Sequence, residues 1–328
     1  MDVCVLGRIG YDLYAVEHNR PLAEVEHFSR QLGGSSANIA VGLARLGLRV
    51  GIISCLGKDA LADYLLGFLR NEGVDTQFVQ LVEGYNTSLC LTEVSPPDCF
   101  PQVFYRQQAA DTRVVVGPAE RTYIQQARMF VTNGTSLSAS PARRATRKAL
   151  KTAREAGLRT VLDVDYRASS WESPEEAGRE AREVLPWVDV VLGNEEELFV
   201  LTGERERAAQ VQAVLATGVS ILVRKLGPKG VEGYTREESV SAQPLPTQLV
   251  CAIGAGDGFA AGFLYALHRK LPLRECLRYG NAAAAVVVSR VSCSDAMPYR
   301  EELEKLVRAA GGCDQEPVTG SSRISRNP

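Results

Sequence analysis

Short apolar runs alternate with amphipathic stretches along most of the chain. Six of these runs have the length and the β-branched content of buried strands, and they lie at 3–6, 50–54, 129–131, 160–164, 188–192 and 221–223. Helical periodicity separates most of them, at 37–46, 61–72, 141–156, 175–185 and 208–217. This alternation predicts an α/β fold with three α/β/α layers, doubly wound around a mostly parallel sheet.

Two segments break the alternation and contain strand-like stretches instead of helices, at 12–33 and 84–111. The strand-like stretches of the second segment flank a Pro96-Pro97 turn. Both segments are typical of antiparallel strands, which must lie off the edge of a doubly wound sheet. We therefore expect a small β lid over a site at the carboxyl ends of the main strands.

Composition is that of an ordinary globular protein. The 328 residues are 45% hydrophobic and 23% charged, and they suit one domain at 1–312 that carries the inserted lid segments. Residues 313–328, rich in Ser, Gly, Arg and Pro, are expected to form a flexible tail. The formal net charge of -2 gives no general attraction to nucleic acid or to anionic lipid.

Cysteine usage argues against a zinc site and against a disulfide framework. The eight cysteines are scattered without a Cys-x-x-Cys pair, and the chain has three histidines. The first apolar run has no basic leader before it, and no apolar stretch approaches the ~18 residues of a membrane span. We expect a cytoplasmic protein with neither a nucleic-acid nor a membrane partner.

The run Gly254-Ala255-Gly256-Asp257 is followed by an apolar helical stretch, so it is typical of a turn that opens directly into a helix. The first amides of a helix have no acceptor within it, and they bind anions such as phosphate. Asp257 would then lie where a substrate hydroxyl meets that phosphate, which is the arrangement that phosphoryl transfer requires. The tetrapeptide alone is equally typical of an ordinary turn whose Asp caps a core helix.

Two other nucleotide-binding motifs are excluded. The dinucleotide-binding fingerprint requires Gly or Ala where Phe259 stands, and the early Gly7-Arg8-Ile9-Gly10 lacks the middle glycine. A P-loop requires Ser or Thr after Gly-Lys, whereas Asp59 follows Gly57-Lys58. Any ATP is therefore bound by another architecture.

A second glycine-rich approach to a helix lies near the N-terminus, at Gly33-Gly34-Ser35-Ser36-Ala37-Asn38. With this motif early and the Gly-Ala-Gly-Asp run late, the chain resembles the ribokinase-like carbohydrate kinases of the phosphofructokinase-B type. The resemblance extends over nearly the whole chain. It implies a substrate site at Gly33, Gly34 and Asn38, and a catalytic site formed by Gly254, Ala255, Gly256 and the base Asp257.

Further matches imply that the chain uses ATP and Mg²⁺. The run Asn194-Glu195-Glu196-Glu197 resembles the family's Asn-x-x-Glu motif, in which the Glu helps to organise magnesium and the Asn lies near the nucleotide. Three acidic residues are also typical of an ordinary helix N-terminus, because the dipole favours them there. The resemblance implies further nucleotide-binding residues at Lys225, Gly227, Gly230 and Asn281.

One branch of the family fits better than the rest, namely the branch that phosphorylates an open-chain keto-sugar acid in inositol catabolism. The resemblance rests on specific short sequence motifs, which include Gly7-Arg8 and the stretches at 15–21, 104–106, 163–167 and 294–298. A carboxylate is best bound by planar guanidinium groups. The resemblance implies a sugar-acid site formed by Asp12, Tyr105, Arg106 and Arg167, in which Asp12 binds the sugar hydroxyls.

Two other functions stay open on sequence alone. A kinase of another sugar, such as 2-keto-3-deoxygluconate or fructose, fits the same motifs because lid residues decide the choice of substrate. A sugar or nucleotide sensor without catalytic activity is suggested by Cys251 and Gly258, where many family members carry other residues. An exposed edge of the lid would also allow a homodimer through the lid.

Overall fold

The computed structural model describes residues 1–96 and 99–311. Within them the strands are β1 (Val3–Leu6), β2 (Gly10–Ala15), β3 (Phe28–Gly33), β4 (Val50–Gly57), β5 (Asp75–Val82), β6 (Ser88–Thr92), β7 (Gln102–Tyr105), β8 (Met129–Asn133), β9 (Arg159–Asp163), β10 (Val190–Asn194), β11 (Ile221–Lys225), β12 (Val231–Tyr234) and β13 (Ser239–Ala242). The helices are α1 (Ser35–Arg45), α2 (Ala60–Asn71), α3 (Pro118–Gln125), α4 (Ala142–Glu155), α5 (Pro174–Val184), α6 (Glu195–Thr202), α7 (Arg207–Ala216), α8 (Ala255–His268), α9 (Leu273–Val288) and α10 (Arg300–Gly311). Part of the predicted Pro96-Pro97 turn and the predicted tail at 313–328 lie outside the described residues.

The main sheet has the strand order β13-β12-β11-β10-β9-β8-β1-β4-β5. Neighbouring strands from β11 to β5 are parallel, and β12 and β13 add an antiparallel edge. The prediction of a doubly wound, mostly parallel sheet is therefore confirmed. Sequence reasoning missed β5, β12 and β13. The outer strands β5 and β13 carry exposed polar residues, and the short β12 has Glu232 and Gly233 at its centre, so all three lack the apolar run of a buried strand.

Helices cover both faces of the main sheet. Along β1 the side chains of Val3 and Val5 belong to one hydrophobic core, and those of Cys4 and Leu6 belong to the other, because successive side chains of a strand alternate between faces. The first core is closed by α1, α2, α8, α9 and α10, and the second by α3 to α7. The three predicted layers are thus present.

A second sheet, which we call the lid, has the strand order β3-β2-β6-β7. It lies in the two segments that were predicted to hold lid strands. Each segment forms an antiparallel hairpin as predicted, but β2 and β6 pair in parallel, so the two hairpins lie side by side. No helix in the described ranges has the length and apolar character needed to cross a membrane.

The lid is fastened to the segment that follows α9. The Ser292 hydroxyl donates to Gln31 Oε1 at 3.0 Å, and the Tyr14 hydroxyl lies 3.2 Å from Cys293 Sγ. On its other side the lid contacts the loops that follow β8 and β9, through Arg106. The lid therefore lies over the carboxyl ends of the main strands, where ligands of doubly wound folds bind.

Candidate active site

Helix α8 begins at the predicted catalytic turn. Its N-cap residue Gly254 has φ of 81°, and a Cβ atom there would lie 2.8 Å from Cys293 Sγ, so a side chain at this position would be strained. The first helical residues are Ala255, Gly256 and Asp257. Their amides have no acceptor within the helix and carry the positive end of its dipole. Ala255 N donates to the preceding Ala252 carbonyl at 3.3 Å, so the amides of Gly256 and Asp257 are those left for a ligand. The turn thus offers an anion site with a carboxylate in its first turn.

The carboxylate of Asp257 is held by the first turn of α1. Ser35 Oγ donates to its Oδ1 and Asn38 Nδ2 donates to its Oδ2, both at 2.7 Å. Asn38 is oriented in turn by Ser294, whose hydroxyl donates to Asn38 Oδ1 at 2.6 Å. The two glycine-rich motifs therefore meet at one carboxylate, although Asn38 and Asp257 are 219 residues apart in the chain. Sequence reasoning missed Ser35 and Ser294, although both lie inside motifs that it quoted.

Burial raises the pKa of Asp257, and the nearby Asp165 carboxylate raises it further. The hydrogen bonds from Asn38 and Ser35 and the charge of Arg167 oppose this rise. A carboxylate with an elevated pKa is a better proton acceptor than an exposed aspartate. The environment of Asp257 therefore suits a general base.

Asp12 lies on β2, on the inner face of the lid. Its side chain is buried, and Oδ1 has no hydrogen-bond partner among the described residues. A Cβ atom at Gly33 would lie 2.1 Å from its carboxyl carbon, so the carboxylate packs directly on the backbone of Gly33. Burial raises the pKa of Asp12 to about 6, although the charges of Arg8 and Arg167 lower it. A buried carboxylate oxygen is thus left for a ligand.

Gly34 shapes the same corner of the site. It is the N-cap of α1 with φ of 94°, and a Cβ atom there would lie 2.4 Å from the carbonyl oxygen of Arg8. Glycine is required because the backbone of the turn after β1 passes directly against it. Gly33 and Gly34 thus let the lid approach the start of α1, as a glycine pair in this motif predicts.

The guanidinium of Arg167 uses only one of its nitrogens in a hydrogen bond to the described residues. Its Nε donates to Asp165 Oδ1 at 3.1 Å, its side chain is 52% exposed, and its terminal nitrogens have no hydrogen-bond partner in the part of the chain that the structure describes. The Asp165 carboxylate raises the pKa of Arg167, and the Asp257 carboxylate does the same. Asp165 has φ of 35°, a conformation that residues other than glycine rarely adopt and that clusters at functional sites.

Arg106, the other arginine predicted to bind a carboxylate, is bound by the protein itself. Its guanidinium donates twice to Asp111 Oδ2, and once each to the Ser138 hydroxyl, the Ser170 hydroxyl and the Thr135 carbonyl. Five bonds occupy all five donors of an arginine. In this conformation Arg106 fastens the lid to the loops after β8 and β9, and Arg167 is the arginine that is left for a ligand.

The register of the lid places Tyr105 away from Asp12. Asp12 is paired with Cys90 and Cys90 with Phe104, so these three share one face of the lid sheet. Tyr105 is paired with Leu89, lies on the opposite face and is 61% exposed. The prediction that Tyr105 contacts the substrate is therefore corrected, because side chains alternate along a strand and Phe104 has the inward position.

Lys225 ends β11 beside the start of α8. Its Nζ lies 3.0 Å from Asp163 Oδ1 and 3.7 Å from Glu197 Oε2, and a Cβ atom at Gly256 would lie 3.5 Å from the same nitrogen. Burial by itself lowers the pKa of Lys225, but the carboxylates of Asp163 and Glu197 outweigh this and raise the pKa above its ordinary value. A charged ammonium group therefore adjoins the anion site of α8. Asp163 was not predicted as a site residue.

Asn194 and Glu197 form a capping box at the start of α6. Glu197 N donates to Asn194 Oδ1 at 2.8 Å, and Asn194 N donates to Glu197 Oε2 at 2.7 Å. This arrangement stabilises the first turn of the helix, so the acidic run does serve as an ordinary helix start. The capping also fixes the carboxylate of Glu197 next to Lys225 at the end of the sheet. Its metal role stays a prediction.

The remaining predicted nucleotide residues form a loop and a helix face beside it. Gly227 and Gly230 have φ of 57° and 92°, which explains the need for glycine at both positions. Asn281 on α9 is buried and its Nδ2 donates to the carbonyls of Ala242 and Gln243. Asn281 therefore joins α9 to the end of β13, and its contact with a nucleotide stays a prediction.

Known proteins match the chain over nearly its full length. The model of the pfkB family carbohydrate kinases matches residues 1–300. A 5-dehydro-2-deoxygluconokinase from Lacticaseibacillus casei is 36% identical over 313 residues, which cover 94% of this chain and 96% of the relative.

Two solved structures are also similar to this chain. A PfkB protein from Polaromonas sp. JS666 is 29% identical with a TM-score of 0.82, covering 93% of this chain and 99% of the other. An Escherichia coli protein described as a ribokinase II, in complex with ATP and Mg²⁺, is 22% identical with a TM-score of 0.86 and covers 94% and 99%. Together with the family match, the chain belongs to the pfkB family of carbohydrate kinases and is a phosphotransferase that acts on a hydroxyl group of a sugar.

Proposed function

We propose that this kinase transfers the γ-phosphoryl group of ATP to the primary hydroxyl of a keto-sugar acid, 5-dehydro-2-deoxy-D-gluconate, as a step of myo-inositol catabolism. The name of the L. casei relative supports this substrate. The observation that carries the proposal is Arg167, a half-exposed guanidinium with free donors beside the carboxylates of Asp12 and Asp257. A cation in this place suits a substrate that carries an acid group.

Asp257 orients the attacking hydroxyl and takes its proton. Ser35 and Asn38 each occupy one lone pair of its carboxylate, so the orientation of the carboxylate and of its remaining lone pairs is fixed. The amides at the start of α8 stabilise the charge of the transferring group, with Lys225 alongside. Alignment and charge stabilisation are the main contributions of a protein to phosphoryl transfer.

The residues present fit ATP and Mg²⁺, which the E. coli ribokinase II structure holds in the same fold. ATP enters as the second substrate, with its phosphates toward α8 and Lys225 and its base toward Gly227, Gly230 and Asn281. Carboxylate oxygens such as those of Glu197 and Asp163 are the ligands that Mg²⁺ prefers. When bound, Mg²⁺ neutralises charge on the phosphates.

The sugar lies between the lid and α1. Asp12 accepts hydrogen bonds from sugar hydroxyls through its unpartnered oxygen. Arg167 binds the carboxylate of the sugar. Arg106 has a supporting role in this proposal, because its bonds to Asp111 and to the loops after β8 and β9 fix the position of the lid.

Replacing Arg167 with methionine is expected to raise KM for 5-dehydro-2-deoxygluconate by about 10- to 100-fold, the effect of losing one charge-assisted pair of hydrogen bonds. KM for ATP and the activity toward fructose should change little. The measurement is a coupled ADP-release assay across sugar acids and neutral sugars. Arg121→Met, at an exposed arginine on α3, is the matched control and should behave like the wild type.

The same assay separates the alternatives. A wild-type enzyme that prefers fructose or 2-keto-3-deoxygluconate would replace the proposed substrate with that sugar. Thermal stabilisation by sugars and ATP without any release of ADP would instead support a sensor. Equal losses of Arg167→Met toward acidic and neutral sugars would argue against carboxylate recognition.

We also propose a homodimer formed through the outer face of the lid. Val103 and Tyr105 on this face are 44% and 61% exposed, and β3 and β7 are the outer strands of the lid sheet in the described part of the chain. The double variant Val103→Lys with Tyr105→Lys is expected to shift the protein from dimer to monomer in light scattering. Leu249→Lys, at an exposed apolar residue elsewhere, should not. A wild-type monomer at about 10 μM, above the Kd of a stable dimer, would refute the proposal.

A reducing, cytoplasmic compartment is proposed from the cysteines. The seven cysteines among the described residues are free thiols, and six of them are buried. Disulfides are rare in reducing compartments.

A further inference from the structure

Arg8 follows β1 and lies under the lid. Its guanidinium carbon is 5.6 Å from the centre of the Phe104 ring, and its Nη1 donates to the Ser88 hydroxyl at 3.3 Å. A Cβ atom at Gly10 would lie 2.4 Å from the same nitrogen. Two lid strands and the bare backbone of Gly10 therefore hold this guanidinium in place.

Most donors of Arg8 are nevertheless free. Ser88 takes one long hydrogen bond, and no other side-chain partner of Arg8 occurs among residues 1–96 and 99–311. The side chain is half-buried, which makes unused donors of a charged group costly. A guanidinium that is held but not satisfied is available to a ligand.

The Phe104 ring under Arg8 shares one face of the lid sheet with Asp12, because Asp12 is paired with Cys90 and Cys90 with Phe104. Arg8 and Arg167 therefore approach the Asp12 face of the lid from two different elements. Both lower the pKa of Asp12, Arg8 from the turn after β1 and Arg167 from the loop after β9. A neutral sugar would satisfy Asp12 but would offer the two arginines only uncharged hydroxyl and carbonyl oxygens. An acidic sugar supplies a carboxylate with two oxygens, which planar guanidinium groups bind as a pair.

We propose that Arg8 is a specificity-determining residue that binds the substrate carboxylate together with Arg167. This inference rests on the proposed function. Phe104 and Ser88, which hold Arg8, belong to the lid strands β7 and β6. The position of the lid therefore also affects how the substrate carboxylate is bound. The competing interpretation is that Arg8 only braces the lid, and kinetics with matched substrates separate the two.

The experiment compares Arg8→Met and Arg8→Lys with wild type on 5-dehydro-2-deoxygluconate and on fructose, with Kd from calorimetry where turnover is slow. Arg8→Met is expected to raise KM for the acid by about 10- to 100-fold, with kcat and the values for fructose nearly unchanged. Arg8→Lys should recover part of the loss, because an ammonium keeps the charge but not the paired geometry. Arg205→Met, at an exposed arginine that lies over Phe199, is the matched control and should leave KM and kcat unchanged for both substrates.

Three results would overturn the inference. Equal losses toward acid and fructose in Arg8→Met would show that Arg8 braces the lid. If Arg8→Met does not fold, as judged by circular dichroism, an Arg8→Lys enzyme with a wild-type ratio of acid to fructose affinity would equally show that Arg8 does not select the acid. In both cases the proposed function stands. A wild-type enzyme without preference for the acid would remove the proposed function and the inference together.

Discussion

Replacing Asp257 with asparagine is expected to lower kcat by about 10²- to 10⁴-fold, the usual contribution of a placed general base. The amide has nearly the shape of the carboxylate but cannot take the proton of the sugar hydroxyl. The partners Ser35 and Asn38 remain, so binding should survive. The measurement is kcat from ADP release, with Kd values for sugar and ATP from calorimetry.

Asp63→Asn is the matched control for this variant, because Asp63 lies in the first turn of α2 as Asp257 lies in the first turn of α8. It should keep the wild-type kcat. An Asp257→Asn enzyme with wild-type activity would show that Asp257 does not act as the base, whatever its position.

Replacing Asp12 with asparagine is expected to stabilise the free protein at pH 7 to 8 while it lowers kcat/KM for the sugar by about 10²-fold. Burial raises the pKa of Asp12 to about 6 from an ordinary value of 3.8. The stability that this group contributes is therefore fully present below pH 3.8 and is lost as the pH rises through about 6. An amide avoids the cost of a buried charge.

The expected gain in the free energy of unfolding is about 1 to 3 kcal/mol at pH 7 to 8, and it should vanish below about pH 4. Urea unfolding at several pH values measures it. Asp2→Asn should have the opposite sign at neutral pH, because hydrogen bonding to Arg49 lowers the pKa of Asp2 to about 2. An Asp12→Asn protein that is less stable than wild type at pH 8 would contradict the assignment of an unpaired buried charge.

The pH dependence of activity is a second test of the protonation of Asp12. A protonated Asp12 loses the charge that attracts sugar hydroxyls, so wild-type kcat/KM for the sugar should fall as the pH falls through about 6. Asp12→Asn should flatten this part of the profile. Asp12 would then lower the stability of the free protein and raise its activity, a trade-off that is common in active sites.

The buried strands and the helices between them were predictable because hydrophobic periodicity records which faces of an element are covered. Glycines that end helices, such as Gly47 and Gly157, have the positive φ that their positions predict. The strands β5, β12 and β13 were not predictable in this way. Exposed polar residues interrupt the apolar pattern of the outer strands β5 and β13, and the four-residue β12 contains Glu232 and Gly233. The parallel contact of β2 with β6 joins residues about 80 apart, and no local signal reports it.

Local pattern was enough to determine the layers, the two glycine-rich turns and the carboxylate at the start of α8, because turn chemistry and periodicity act over a few residues. Packing in three dimensions decided which charged groups are free. Arg106 and Arg167 are equivalent candidates in the sequence, yet the partners of Arg106 come from three loops that only folding brings together. The same folding turns Tyr105 outward and leaves Arg167 and Arg8 with open donors, since hydrogen-bond saturation depends on neighbours remote in the chain.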